Sequence, residues 1–405
     1  MDWKRTLWVL WVANLIFSTG ISLFLPFLPF YIQELGVRDT DDVVRWSGWI
    51  FTSQSVTAVL FQPLWGSIAD KRGHKGMLLR SGIGMAVMTI LMGFAAAPWQ
   101  LLVLRLLNGV LSGFIAMSVS FQASITPEKH AGKALGLMQT GQTAGMLIGP
   151  LLGGGIAELL GFRQVFLLTG VLSLLATLCV GVFVNNRPVE TNRDSDAPRK
   201  PVPGSAGWKP LIPLLPVFAV TAVTQLGMMS IQPIVTVYTQ MIYGGSHVTV
   251  IAGLVVAMTG IGNLIGSPFV GRIGDRIGHR KMLVLLLFLA GISLLPQALF
   301  SSLWILLVCR FFLGLFVGGA TTSLSVLVKR LAPKDTVSRA FGFSASSRFL
   351  GNFAGPLIGS AVAASFGFRE VFAVTSAVFL LNGAFLVLYR GMGTVPERGR
   401  FRRPS

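Results

Sequence analysis

The sequence predicts an all-α polytopic membrane protein, and three observations carry that prediction. Hydrophobic residues make up 53% of the 405-residue chain and charged residues only 12%, about half the charged fraction of a soluble protein. Mean hydropathy is +0.71. Apolar runs such as MLLRSGIGMAVMTILMGFAAAPW and VFLLTGVLSLLATLCVGVFV approach or exceed the roughly 20 residues that cross ~30 Å of hydrocarbon as a helix.

Twelve such segments follow along the chain. The first, 7–33, comes after the charged start MDWKR with no small-residue cleavage site and continues through Pro26 and Pro29, so it reads as a retained span and not a signal peptide. Segment 47–68 runs into the turn GSIADKRGHKG, and 77–97 leaves it. Segment 99–122 carries Arg105, 134–158 is rich in glycine, and 164–184 closes the first bundle, 1–184. Residues 185–210, NNRPVETNRDSDAPRKPVPGSAGWKP, are polar, Pro-rich and without helical period, which predicts a linker. The second bundle, 211–390, holds segments 211–239, 249–271, 282–301, 303–328, 339–364 and 370–389, and a basic tail, 391–405, ends the chain.

The formal net charge of +18 is a matter of placement. With the N-terminus and the even-numbered turns on one side, Arg38, Arg45, Arg163 and Arg369 are the basic residues of the opposite loops, and Arg105, Arg310 and Arg348 lie within helices. The rest of the 33 Lys and Arg share the face of the two termini. This is the positive-inside pattern of a protein with both ends cytoplasmic and in contact with anionic headgroups, and it leaves no role for nucleic acid. Cys179 and Cys309 fall in predicted helices as small packing residues. His74, His130, His247 and His279 form no metal-ligand pattern, and no nucleophile–base pair stands out, so an enzyme is disfavoured.

The chain repeats itself. Gly66, Asp70 and Gly73 return as Gly271, Asp275 and Gly278; Arg105, Gly109 and Gly113 return as Arg310, Gly314 and Gly318; GFRQVF returns as GFREVF. Near the start of each half Gly20, Pro26, Tyr31 and Gln33 match Gly227, Pro233, Tyr238 and Gln240. Six helices per half is an even number, so the halves insert in the same orientation, related by an axis along the membrane normal. Two tethered, pseudo-equivalent bundles suit rocking about a central cavity.

With GSIADKRGHK in the turn after the second segment, RLLNGVLSG at Arg105–Gly113, GMLIGPLLGG at Gly145–Gly154 and GISLFLPFLP at Gly20–Pro29, the chain resembles the major facilitator superfamily over nearly its whole length. Within it the resemblance is to the twelve-helix drug:proton antiporters. The resemblance implies the major facilitator fold, a small-molecule substrate, no cofactor beyond a proton as coupling ion, a working monomer and a place in the bacterial inner membrane. It also implies that the second and eleventh helices are neighbours. Asp70 is then expected to cap the eleventh helix and latch the cytoplasmic side shut, and Asp275 to do the same for the fifth. Gly66 and Gly73 with Gly271 and Gly278 permit the close approach and the turn, and Arg72, Lys75, Arg276 and Arg280 complete a charge cluster.

Gly141, Gly145, Gly149 and Gly153 recur every four residues beside Pro150, and Gly351, Gly355 and Gly359 repeat the stripe beside Pro356. Such stripes let membrane helices pack closely, bend or slide, and a hinge between moving helices is the expectation. No Asp or Glu lies in the interior of a predicted helix, whereas Arg105, Arg310 and Arg348 do. Charge that deep is costly and marks function. Proton coupling then falls to an acid near a helix end, with Glu34 first and Asp70 second, assisted by Arg105. Many relatives place an acid within the first helix, where this chain has Asn14, Ser18 and Ser22.

The expected substrate site combines Arg348 and Asn352 with Asn14, Gln139, Gln142, Gln225 and Gln232, walled by Phe24, Tyr31 and Tyr238. With arginines and no carboxylate in the interior, anionic or neutral amphiphiles are favoured over cations. The reading is a proton-driven exporter working by alternating access; a facilitator or importer of a small organic solute stays open beside it. A receptor or channel demands no such twofold repeat.

Overall fold

A computed structural model describes residues 3–184, 209–333 and 336–389. The linker (185–210) falls almost wholly outside them, as does the tail (391–405), and the side chains of Asp70 and Arg72 are also outside the described part. The described residues form fifteen α-helices: α1 Trp3–Phe24, α2 Leu28–Glu34, α3 Thr40–Arg72, α4 His74–Gly93, α5 Pro98–Leu111, α6 Phe114–Ile125, α7 Glu128–Leu160, α8 Phe162–Phe183, α9 Leu215–Ser230, α10 Val235–Ile242, α11 Val248–Ile277, α12 His279–Leu299, α13 Leu303–Leu331, α14 Val337–Phe366 and α15 Phe368–Leu388.

Three predicted spans are broken, which brings fifteen helices back to twelve crossings. The first (α1 and α2) passes through a 3-10 turn at Leu25–Phe27, with Pro26 at its start, where the missing N–H of proline costs no helical bond. The seventh (α9 and α10) breaks at the matching place around Pro233. The fourth (α5 and α6) breaks at Gly113, whose φ of 126° only glycine holds without strain; its mate α13 runs unbroken through Gly318. Eleven of the crossings are apolar enough to span a membrane by composition alone. The twelfth, α3, is long enough at 33 residues but more polar, because Ser47, Ser53, Gln54, Ser55 and Gln62 interrupt its apolar stretch.

The repeat seen in sequence is a repeat in packing. In the first half α1 packs on α7, α4 on α8 and α3 on α5; in the second α9 packs on α14, α12 on α15 and α11 on α13. Each half buries its own apolar core, around Leu78, Phe114 and Val180 in one and Leu283, Leu313 and Phe379 in the other. The bundles meet along two equivalent seams, α3 on α14 and α7 on α11, with α2 touching α10. The duplicated turn has a backbone cause: Gly73 and Gly278 each join two helices at φ 95° and 94°, a region that L side chains with a Cβ avoid.

Candidate transport cavity and gates

Every contact described between the bundles lies toward the face opposite the termini, hereafter the far face. A Cβ on Gly253 of α11 would strike the carbonyl of Pro150 of α7, and one on Gly48 of α3 would lie 3.1 Å from the carbonyl of Pro356 of α14. These two crossings are mates. Phe27 and Ile234, at equivalent elbows of the first and seventh spans, dock across the divide, the former beside Ala252 and the latter beside Val44 and Ala363. Thr52 Oγ1 donates to the Phe353 carbonyl at 3.1 Å. Nearer the basic face the helices part: a Cβ on Gly66, Gly136 or Gly342 would meet nothing within 4 Å, and Leu60, Leu64 and Leu350 are 57–63% exposed. The cavity is sealed at the far face and open at the basic one.

The gate residues predicted on the basic face are occupied within their own bundles. Lys75 Nζ donates to the Gly181 carbonyl at 2.8 Å, and Arg280 Nη2 donates to the carbonyls of Leu386 (3.0 Å) and Tyr389 (2.7 Å). The two are repeat mates, and each neutralises the electron-rich end of the last helix of its bundle. Asp275 Oδ1 lies 3.0 Å from His279 Nε2 and 3.4 Å from Arg330 Nη2, both in its own bundle. Among the described residues the expected cap of the fifth helix by Asp275 is not made, while Asp70 and Arg72 lie outside the described side chains. Gly66 makes no close approach here, and Arg276 is exposed.

The glycine stripes are also redirected. Gly145, Gly149 and Gly153 face α1 of the same bundle; a Cβ on Gly145 would lie 2.7 Å from the Leu15 carbonyl, and Ser22 Oγ donates to the Gly145 carbonyl at 2.9 Å. Gly351, Gly355 and Gly359 face α9, with Gly355 equally tight against the Leu226 carbonyl. The stripes pack helices inside a bundle, and the close contacts between bundles are made instead at Gly48, Gly154 and Gly253. Pro150 and Pro356 sit within unbroken helices with their carbonyls on the seams.

Two pockets hold two of the three intramembrane arginines. In the first bundle Arg105 is 3% exposed, lies 5.7 Å from the Phe24 ring and donates through Nε to the Ile50 carbonyl at 3.5 Å. Gln54, Asn108, Thr169 and Ser173 line the same pocket, and Gln54 Nε2 donates to Asn108 Oδ1 at 3.1 Å. In the second bundle Arg348, about 15 Å along α14 from its basic end, is exposed to the cavity. It shares a pocket with Thr221, Thr224, Gln225, Thr321, Ser325 and Ser344. Gln225 Nε2 donates to Asn352 Oδ1 at 2.7 Å, fixing two predicted substrate residues beside Arg348. The mate of Arg105, Arg310, is 5% exposed and lies 5.6 Å from the Phe372 ring; its Nε and Nη2 find no hydrogen-bond partner among the described residues.

Other predicted lining residues lie elsewhere. Tyr31 is wholly buried, its hydroxyl donating to the Met92 carbonyl at 3.1 Å, and its mate Tyr238 is 4% exposed with its hydroxyl 3.5 Å from the Gln297 carbonyl. Both brace the end of a neighbouring helix and wall no central cavity. Asn14 is buried, accepting from Ser118 Oγ at 2.8 Å and contacting Met138 Sδ. Gln139 is exposed and Gln142 half-buried on α7, and Gln232 is half-buried at the break of the seventh span. Glu34 is exposed at the far end of α2, away from the Arg348 pocket.

The hydroxyls around Arg348 escape a reading of sequence. Thr221 and Thr224 bond back to the Val217 and Val220 carbonyls of their own helix, both at 2.7 Å, and so hide in an apolar run. The asymmetry between the repeats was a usable signal. The positions matching Arg348, Asn352 and Gln225 in the first half are Gln142, Met146 and Ser18, so one bundle carries the charge.

A profile of the Major Facilitator Superfamily matches residues 10–252 and 217–404. The chain is 37% identical over 382 residues to "Multidrug resistance protein MdtG" of Proteus mirabilis, covering 94% of each, and 36% identical over 386 residues to the protein of that name from Rahnella sp., covering 95% of this chain and 93% of the other. Among solved structures, a D-xylose–proton symporter superposes with a TM-score of 0.78 at 14% identity over 96% of this chain and 99% of its own. A bacterial homologue of the human lysosomal transporter Spinster, inward-facing and occupied, does so with 0.77 at 15% over 95% of each. At that identity the structures speak for the fold alone. A twofold helical repeat around one cavity, matched end to end by this family, leaves one conclusion: the chain belongs to the Major Facilitator Superfamily and is a multi-pass secondary transporter of the bacterial inner membrane, not an enzyme.

Proposed function

We propose that this transporter exports small amphipathic compounds in exchange for protons by alternating access, and that the conformation described is the one open to the cytoplasm. The observation that carries the reading is the Arg348 pocket: a guanidinium among hydroxyls and amides, reached from the basic face and sealed from the far one. The positive-inside distribution makes the basic face cytoplasmic and in contact with anionic headgroups. The multidrug-resistance names of the relatives support export over uptake.

A guanidinium presents a planar fork of donors that pairs carboxylate or phosphonate bidentately. The surrounding hydroxyls accept and donate alike, so neutral polar groups are served as well. Among the described residues no carboxylate faces this pocket, and a dication has nothing to pair with. The proton must then be taken up at an acid outside the interior, Glu34 at the far rim or Asp70 at the basic one. Arg105, held against the Phe24 ring and a backbone carbonyl, supplies fixed positive charge in the first bundle.

Counterflow in proteoliposomes tests the reading directly. With an inward-acid gradient imposed on inside-out protein, uptake of a labelled anionic amphiphile should exceed the gradient-free rate several-fold and collapse with a protonophore. Equal rates with and without the gradient would establish a facilitator.

A further inference from the structure

The far-face seal is symmetric in packing and asymmetric in chemistry. The α3–α14 and α7–α11 crossings both press a glycine against a proline carbonyl, yet only the second joins the bundles through a carboxylate among the described residues. Glu158, in the last turn of α7, reaches across to the start of α11 in the other bundle. Its Oε2 accepts from Thr249 Oγ1 at 2.9 Å, and its Oε1 meets His247 Nδ1. The matching residue of α14 is Ala364, so the mate seam has no such bond.

The first N–H groups of a helix have no partner within it, and α11 supplies no side-chain cap of its own: His247, at φ 69°, occupies the capping position without filling it. The carboxylate bonded to the side chains at that helix start comes from the bundle that must move away when the far side opens. We infer that Glu158 holds the far gate shut and that protonation from the solution on that face releases it. This rests on the alternating-access reading above. An ionised carboxylate is held at both oxygens, with charge assistance and a favourable helix terminus; the protonated acid loses the charge and turns one oxygen into a donor.

His247 and Thr249 meet Glu158 from α11. Two other charged groups of this face bond elsewhere, Arg369 with Ser301 and Arg45 with Asp42. Glu158 keeps a quarter of its side chain exposed at the rim. Its proton therefore returns to the solution it came from, and Glu158 is a positioning residue that biases the gate and not the carrier of the transported proton.

The test places spin labels at Arg38→Cys and Gly244→Cys, both exposed and on opposite bundles, in a chain with Cys179→Ser and Cys309→Ser. Distances are read in nanodiscs from pH 8 down to about pH 2.5, because the bonds to His247 and Thr249 hold the Glu158 carboxyl below the usual carboxylate range and the latch is lost only as pH falls through it. The wild type should move from a closed to an open population as pH falls. Glu158→Gln should be open at every pH, with a flat profile and at least a several-fold larger open fraction at pH 8. Thr249→Val, which removes one donor, should open at higher pH than the wild type, and His247→Gln should keep a profile. A Glu158→Gln protein with the wild-type profile overturns the proposal, as does a wild type closed throughout, or a profile lost in His247→Gln and kept in Glu158→Gln. Substrate-driven proton release is measured alongside: its absence from a wild type whose gate follows Glu158 leaves the latch standing and overturns only proton-coupled export.

Discussion

Gln33 and Gln240 occupy the same place in the two halves of the repeat, and they meet: Gln33 Nε2 donates to Gln240 Oε1 at 3.3 Å across the axis between the bundles. A residue and its own repeat mate touch only where that axis passes, so the pair marks the centre of the far-face seal. A neutral hydrogen bond contributes about 0.5–1.5 kcal/mol net. Gln33→Ala should therefore raise the far-open population about two- to tenfold, with Gln240→Ala matching it and the double variant adding little. Alkylation of a cysteine placed in the cavity, from the far side, reads this out. Additive effects would mean that the two amides do not act as one bond.

Lys75 and Arg280 bind the last carbonyls of α8 and α15, each inside its own bundle. Lys75→Ala and Arg280→Ala should lower thermal stability in detergent by a cationic cap's worth, about 0.3–1 kcal/mol, without moving the gate labels. A changed cavity accessibility with unchanged stability would restore them to the gate.

Glycines divide into those jammed now and those free now. Gly149→Leu and Gly355→Leu drive a side chain into α1 and α9, and overpacking of about 1–3 kcal/mol or more should cost most of the folded protein on size-exclusion. Gly66→Leu meets nothing in this conformation, so folding should survive while transport falls, because the basic face must close on that position. Normal transport by Gly66→Leu would show that α3 never comes closer there.

Arg348→Gln should weaken anionic compounds and improve cationic ones. At an effective dielectric near 20, charges 8 Å apart interact by roughly 2 kcal/mol, about thirtyfold, and less while water fills the cavity. Protection of an efflux-deficient bacterium against matched anionic, neutral and cationic toxicants gives the measurement. Selectivity unmoved by the substitution removes Arg348 from the site.

The fold was legible because length, hydropathy and a 205-residue echo are properties of single segments and of their comparison. The site was legible only in part. Arg348, Asn352 and Gln225 came together as read, since deep polar residues are few. Tyr31 and Tyr238 misled because an aromatic with a hydroxyl serves equally as a wall or as a brace for helix-end carbonyls, and the choice is made by a partner some 60 residues away. The stripe on α7 named a close contact correctly but not the helix that fills it. Glu158 went unread because its meaning depends on His247 and Thr249, about 90 positions on.

The seal at the far face is thin. Along α7 the inter-bundle contacts run from Leu147 to Glu158, about 16 Å of helix against ~30 Å of hydrocarbon. Water reaching Arg348 from the basic side is conductive and carries the potential of that compartment with it. Nearly the whole transmembrane voltage therefore drops across those few turns, where each elementary charge is worth about 2.3 kcal/mol per 100 mV. With the interior negative, an anion that has reached the pocket needs to travel only this short plug to collect the full electrical drive outward, and a cation must climb it.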